Sequence, residues 1–428
     1  MSTKIDGRFM LKLDLYLFLV ASALVNFNLL PTSALYLFDV INLFVCLVCF
    51  KRCRIAFSGA KWIVTIIDIL LLYNLISAAA STTLIQYVMW ELNAVFRIFI
   101  FLFIWVAVCR LEDLKEFLHV LYRFQILNFL FACVEFFIMG LQGDNCGGLF
   151  GIVSGCNSYA NIYLCIVCGY AMNSYLAHGR VNIASLIATC LMSLAVATFS
   201  EIKFFYFEFV IILIVSLLAN RFSRKTALLV VAGAVLLAVG LNLLSIYYPE
   251  SYELLFDVEA MAAYDDGSQV ATSGYGISRS APIPQVNAMF FSSDDVEKMF
   301  GMGFGSATVS SIDFFASSFY HEYGYLRYYY SPIAMIYIQT GWIGLILYLS
   351  VFVCMIIYTI HLRSRFKRFA SDLYGFTLVM QAIFVSNCFY NATSRASIAI
   401  LWAVVLSATV FVSGLSKCNQ DEWEEESR

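Results

Sequence analysis

Hydrophobic positions dominate this chain in long, nearly unbroken runs. A helix needs about 20 consecutive apolar residues to cross a bilayer. Applied along the sequence, that length predicts twelve helical spans, at 11–30, 34–50, 62–81, 94–109, 122–141, 158–176, 182–199, 203–219, 226–247, 333–360, 372–390 and 398–415. The tenth run is long, so only part of it need span. Connections between the runs are short, with one exception. From 248 to 332 the chain turns polar, with interleaved aromatics and short apolar pieces that predict partial order. Within it, VEKMFGMGFG reads as a short helix ending in a glycine turn. The organisation predicted is helices one to nine over 1–247, a large loop over 248–332, helices ten to twelve over 333–415, and an acidic tail over 416–428.

Composition fits this pattern. Of 428 residues, 61% are hydrophobic and only 13% charged, which leaves too little polar surface for a soluble protein of this length. The fold class expected is an all-α polytopic membrane protein, because lipid leaves no backbone group to pair with solvent. A net charge of −3 carries no nucleic-acid signal. The apolar N-terminal run, flanked by basic residues, is read as a first transmembrane helix that stays rather than as a cleaved signal. The basic residues then set the orientation. Lys4, Arg8 and Lys12 precede the first run, and Lys51, Arg52, Arg54 and Lys61 follow the second. Arg110, Lys115 and Arg123, then Arg180, then Arg221, Arg224 and Lys225, and finally the cluster 361–368 occupy alternate connections. All of these fall on one side if the chain crosses twelve times. Both termini are then cytoplasmic and the 248–332 loop is extracytoplasmic.

Several polar groups stand out against this background. SEIKFFYFEF at 200–209 places Glu201 and Lys203 in a short outer turn and Glu208 deeper in the eighth span. The first two are either an interfacial ion pair or part of a site. Glu208 is protonated, paired within the bundle, or facing a wet cavity. Arg97, near the outer end of the fourth span, is either an interfacial anchor beside Trp90 or an anion contact, since guanidinium matches phosphate oxygens as a fork. The loop holds eleven carboxylates against Arg279, Lys298, Arg327 and His321. Arg279 lies among small turn-forming residues, and Arg327 in an aromatic belt, YLRYYYSP. GMGFGS at 301–306 lacks the Lys-Ser/Thr end of a P-loop. Its glycines, Gly303 and Gly305 among them, either present backbone N–H groups to an anion or sugar or form a plain turn. Most of the thirteen cysteines lie in apolar runs as small core residues. Cys146 and Cys156 flank an outer loop and are either a disulfide or free thiols. No catalytic metal motif or serine-nucleophile motif is present.

Together, the twelve runs, the large outer loop between helices nine and ten, the Glu–Lys turn opening helix eight, the Arg followed by GMGFGS, and QTGWIGLILYL in helix ten resemble one family. It is the O-antigen polymerase and ligase superfamily, with its capsule and exopolysaccharide polymerases. The resemblance implies a GT-C-like glycosyltransferase of the bacterial inner membrane that needs no metal and no cofactor. It implies substrates carried as oligosaccharides on undecaprenyl diphosphate at the outer leaflet. It also implies a flippase and a chain-length co-polymerase as partners. The family's essential arginines map to Arg279 and Arg97, and its basic residue opening helix eight maps to Lys203. Arg327, Gly303 and Gly305 are further expected contacts to diphosphate or sugar. Arg279, Glu201 and Glu322 are the expected catalytic set, with the two carboxylates as candidate bases. Tyrosines stand where a ligase has its histidine, His321 lies too far upstream, and Gln339 replaces an acid. These departures favour a polymerase over a ligase.

Overall fold

The computed structural model describes residues 7–177, 181–257, 276–277, 279, 281–292 and 294–414. Lys4, Arg180, the loop centre at 258–275 and the acidic tail lie outside the described residues. Among the described residues 82% are helical and none lies in a strand. Each of the twelve apolar runs falls on a helix. These are α1 (Gly7–Asn26), α2 (Ser33–Val48), α4 (Lys61–Ala80), α5 (Ile85–Val108), α6 (Leu111–Cys133), α7 (Asn157–Ala177), α8 (Ile183–Phe199), α9 (Lys203–Ala219) and α10 (Arg224–Tyr247). After the loop come α15 (Pro332–His361), α17 (Ser371–Tyr390) and α18 (Ala399–Leu406, its apolar run reaching Gly414). Short helices fill the gaps: α3 (Phe50–Ala56), α11 (Pro249–Phe256), α12 (Pro282–Val286), α13 (Asp295–Phe300), α14 (Ser318–Tyr323) and α16 (Arg363–Phe369).

Among the described residues, seven helices are long and apolar enough to cross a membrane: α1, α4, α5, α6 with its extension to Ile138, α10, α15 and α17. The α2–α3 pair, bent by 78°, makes an eighth if it is one broken span. The side chains support a lipid solvent independently. Leu37 and Phe44 on α2, Trp62 on α4 and Val231 on α10 are all more than 60% exposed. Asn42, Asn74, Asn128, Asn161 and Gln381 are buried inside. Apolar groups outside and polar groups inside are stable only where the surroundings are apolar.

The two ends of the bundle differ in chemistry. At one end Arg8 and Lys12 of α1 meet Asp113 of α6 at 2.8 and 3.4 Å, and Lys115 meets Asp372 of α17 at 3.3 Å. Arg365 of α16 reaches the Ser413 carbonyl. The described parts of the 248–332 segment cover the opposite end. Trp90 of α5 donates to the Val309 carbonyl at 3.0 Å and stacks on Phe315 at 4.7 Å. Phe304 N–H bonds the Ser77 hydroxyl of α4. The expected short helix is present as α13. Asp294 caps its N-terminus, accepting from Val296 and Glu297 N–H, and Gly301 at φ +73° ends it.

That glycine turn fits a break in α15. Gly341 adopts φ +59°, ψ −161° and interrupts the long tenth run. A Cβ there would lie 2.4 Å from the Met299 carbonyl carbon, and one on Gly301 would lie 2.4 Å from the Gln339 carbonyl carbon. The GMGFG turn therefore sits backbone to backbone in a notch of the helix.

Candidate functional site

The loop glycines are occupied by the fold itself. Gly303 N–H bonds the Gln339 carbonyl at 2.9 Å, and Gly305 N–H bonds the Gln339 side-chain oxygen at 2.8 Å. Met302 N–H bonds the Ile338 carbonyl. Gly303 and Gly305 are both buried. Their amides thus have internal partners in place of the anion or sugar expected of them, and at their positive φ angles a Cβ would run into Ser81 (Gly303) or approach Thr83 and Val88 (Gly305), so the glycines serve close packing on the turn between α4 and α5.

Arg97 also departs from expectation. It is buried, and Asp39 takes its fork: Nε and Nη2 each donate to one carboxylate oxygen at 2.7 Å. Asn93 adds a bond to Asp39, and Arg97 Nη1 donates to the Arg395 carbonyl at 3.1 Å. Next to it stands a second buried pair that sequence reasoning missed, Arg395 with Glu91 at 2.5 Å. Gln339 donates to Glu91 at 3.0 Å, so this network continues into the glycine turn. The signal for these groups lay in the sequence. Asp39, Glu91 and Arg395 are ionisable residues within or beside apolar runs, and such residues need partners.

The Glu201–Lys203 turn is placed where it was expected, at the loop-covered end. Lys203 pairs with Glu201 at 3.2 Å, and Ser251 of α11 donates to Glu201 at 2.5 Å. Glu201 holds a left-handed φ of +51°, a strained conformation for a side-chain-bearing residue. Beside this turn, Tyr248 accepts from Gly143 N–H and donates to the Phe199 carbonyl. Burial pushes the Tyr248 phenol up to about 12, the Gly143 bond opposing and the Glu201 charge adding. Glu208 is fully buried, accepting from Asn387 of α17 and from Cys165 of α7 at 3.3 Å. Of its three readings, bonding within the bundle holds.

Arg279 is brought to the same end. Ile277 N–H bonds the Leu326 carbonyl, fastening this stretch against the belt before α15. The guanidinium carbon lies 4.9 Å from the ring centre of Tyr390 and 5.9 Å from that of Tyr330. On its other side Tyr390 stacks on Phe204 at 4.1 Å and 8°. Phe204 is the chain neighbour of Lys203, so one tyrosine joins the two segments. Arg279 is half-buried, and among the described residues it has no carboxylate partner. Tyr390, Tyr330 and Phe204 were absent from the expected set.

The remaining candidates are peripheral. Arg327 is exposed, with a left-handed φ of +52° between two tight turns. Glu322 is exposed on α14, where its bond to the Tyr323 phenol raises that phenol's pKa. No described bond links Glu322 to Arg279. His321 faces Asp313 at 3.5 Å, both exposed. Cys146 and Cys156 are free buried thiols rather than a disulfide. Cys156 donates to the Gly151 carbonyl at 2.9 Å. Burial, and then the nearby Glu135 charge, pushes the Cys146 thiol up to about 12. No family model matches the chain, and no curated protein matches it in sequence.

Proposed function

We propose that this protein is a membrane glycosyltransferase that polymerises lipid-linked oligosaccharide repeat units into a surface polysaccharide. In this reading the twelve helical runs are twelve spans of a GT-C-like fold in the bacterial inner membrane. The basic end and both termini are cytoplasmic, and the loop-covered end is the outer face. The substrate is an oligosaccharide on undecaprenyl diphosphate. An acceptor hydroxyl attacks the anomeric carbon of the growing chain. The new carbon–oxygen bond forms as the bond to the diphosphate oxygen breaks, the diphosphate leaves on its lipid, and the hydroxyl proton passes to a base. Arg279 meets the diphosphate, with Lys203 beside it. Glu201 and Glu322 are the carboxylates available for the proton. Arg97, Gly303 and Gly305 act indirectly, by holding the outer half of the bundle.

The observation that carries this reading is the state of Arg279. Tyrosine faces hold its guanidinium by cation–π attraction. That attraction fixes a cation without neutralising it. A half-buried arginine with no carboxylate partner among the described residues is the group needed to stabilise charge on a departing diphosphate.

The test is the length profile of surface glycan in cells carrying Arg279→Ala or Arg279→Lys, against a gene deletion. The expected outcome is collapse of the ladder to a single repeat in the deletion and in Arg279→Ala. Full-length ladders in Arg279→Ala refute the role of Arg279. Long polymer stranded on the carrier in the deletion indicates a ligase, and repeats trapped in the inner leaflet indicate a flippase.

A further inference from the structure

The rings around Arg279 continue beyond it. Tyr330 packs on Tyr329 at 4.7 Å, and Tyr329 on Tyr320 at 5.8 Å. From Phe204 through Tyr390, Arg279, Tyr330 and Tyr329 to Tyr320, each group contacts the next, Tyr330 tilted by 59° to Tyr329 and Tyr329 edge-on to Tyr320 at 70°. Tyr330 is 43% exposed, and Tyr329 and Tyr320 are half-buried. Their neighbour Tyr328 differs. It is fully buried and donates to the Ala307 carbonyl at 2.9 Å, which pins the turn from beneath. The left-handed Arg327 starts that turn, so one tyrosine of the YYY run anchors inward while the next two lie at the surface.

We propose that the Tyr330–Tyr329–Tyr320 row is a saccharide shelf, on which the sugars next to the diphosphate stack in succession away from Arg279. This rests on the reading of Arg279 as the diphosphate contact and deepens it by placing the sugar chain. The chemistry of the row selects the ligand. A sugar ring offers a C–H face with hydroxyls around its rim. A half-exposed tyrosine offers a flat apolar face and a polar edge. A prenyl chain has no use for three phenol groups. Each phenol is protonated at neutral pH, as tyrosine ordinarily is, and offers a hydrogen-bond donor as well as an acceptor. The row also continues from Arg279, so a ligand held there by its diphosphate meets it without a break.

The test uses the purified full chain in detergent and a defined probe, the lipid-free oligosaccharide released by mild acid from the source cell's own surface polysaccharide. Binding is read by saturation-transfer NMR with a titration to millimolar concentration. Tyr320→Ala and Tyr329→Ala should each weaken binding about five- to tenfold, in line with the ordinary worth of a ring-face contact. Tyr320→Phe and Tyr329→Phe, which keep the ring face and lose the phenol edge, should bind between the wild type and the alanine variants, so the shelf stays testable should an alanine variant fail to fold. The shelf is overturned if the wild type does not bind the probe. Equal affinity of the two alanine variants and the wild type overturns it as well. These outcomes are separable from the polymerase reading, which stands or falls on the glycan ladder of Arg279→Ala.

Discussion

Asp39→Asn tests whether Arg97 is a structural cation. The carboxylate accepts two guanidinium bonds at 2.7 Å and one from Asn93 at 3.0 Å. The side chains of Arg97 and Asp39 are 9% and 6% exposed, so water cannot take the place of a lost partner. Asparagine keeps one acceptor oxygen and turns an NH2 group toward the guanidinium. Breaking one side of a buried pair costs about 3–5 kcal/mol. Counting two bonds to a charged group, at about 1.5–3 kcal/mol each, gives about 3–6 kcal/mol. The two routes agree near 4 kcal/mol. Adding Arg97→Gln removes the stranded cation, so the double variant should recover about 2 kcal/mol or more relative to the sum of the singles. Reversible SDS titration of the purified protein in mixed micelles measures all four corners of the cycle. Additive losses, or an Asp39→Asn variant as stable as the wild type, would falsify the pairing and return Arg97 to the list of ligand contacts.

Two further outcomes follow from the loop and the thiols. Gly341→Ala should cost about 2–6 kcal/mol, combining overpacking of about 1–3 with backbone strain of about 1–3 at its positive φ, and should expose 282–331 to protease; a protected segment would mean the turn does not sit in the α15 notch. Cys146 should alkylate roughly 1000-fold more slowly at pH 8 in the folded protein than after unfolding, because raising its pKa from 9.0 to about 12 leaves that much less thiolate. Its contribution to stability should be intact below pH 9 and lost as pH rises through 12. Peptide mapping resolves this cysteine from the others, and native modification at the free-thiol rate contradicts the burial.

That each of the twelve runs is helical was legible because the constraint acts on each segment locally, whereas only seven of these helices, or eight with the bent pair, are long and apolar enough to cross a membrane among the described residues. A helix that must satisfy its own backbone in an apolar medium announces itself by length and composition alone. The α13 cap and its glycine turn were legible for the same reason, since Asp294 and Gly301 act within one short stretch. Partnership was not legible. Arg97 and Asp39 are 58 positions apart, and Arg395 and Glu91 are 304 apart. Nothing local says which arginine is neutralised. GMGFG could be seen as a turn, but its amides could not be assigned until Gln339 was placed beside them. The same limit hid Tyr390, an ordinary aromatic at a helix end until Arg279 arrives from more than 100 positions away.

In the proposed reaction, the charges at the loop-covered end favour Arg279 as the anion contact. Arg97 and Arg395 are each closed off by a buried carboxylate. Lys203 shares its charge with Glu201. Arg327 is exposed and screened by solvent. Arg279 combines partial burial with the lack of a carboxylate partner among the described residues. At an effective dielectric near 20, unit charges 4 Å apart attract by about 4 kcal/mol, against about 1 kcal/mol in bulk water. A phosphate oxygen therefore gains several-fold more from Arg279 than from a solvated arginine. It gains more, too, than from the deeper cations, whose fields their own partners cancel. The buried pairs and the seated glycine turn thus serve a common end. They fix the ends of α5, α15 and α18 through interactions that are electrically neutral overall, and at the loop-covered end leave Arg279, held by rings and without a carboxylate partner among the described residues, as the cation best placed for the proposed anion contact.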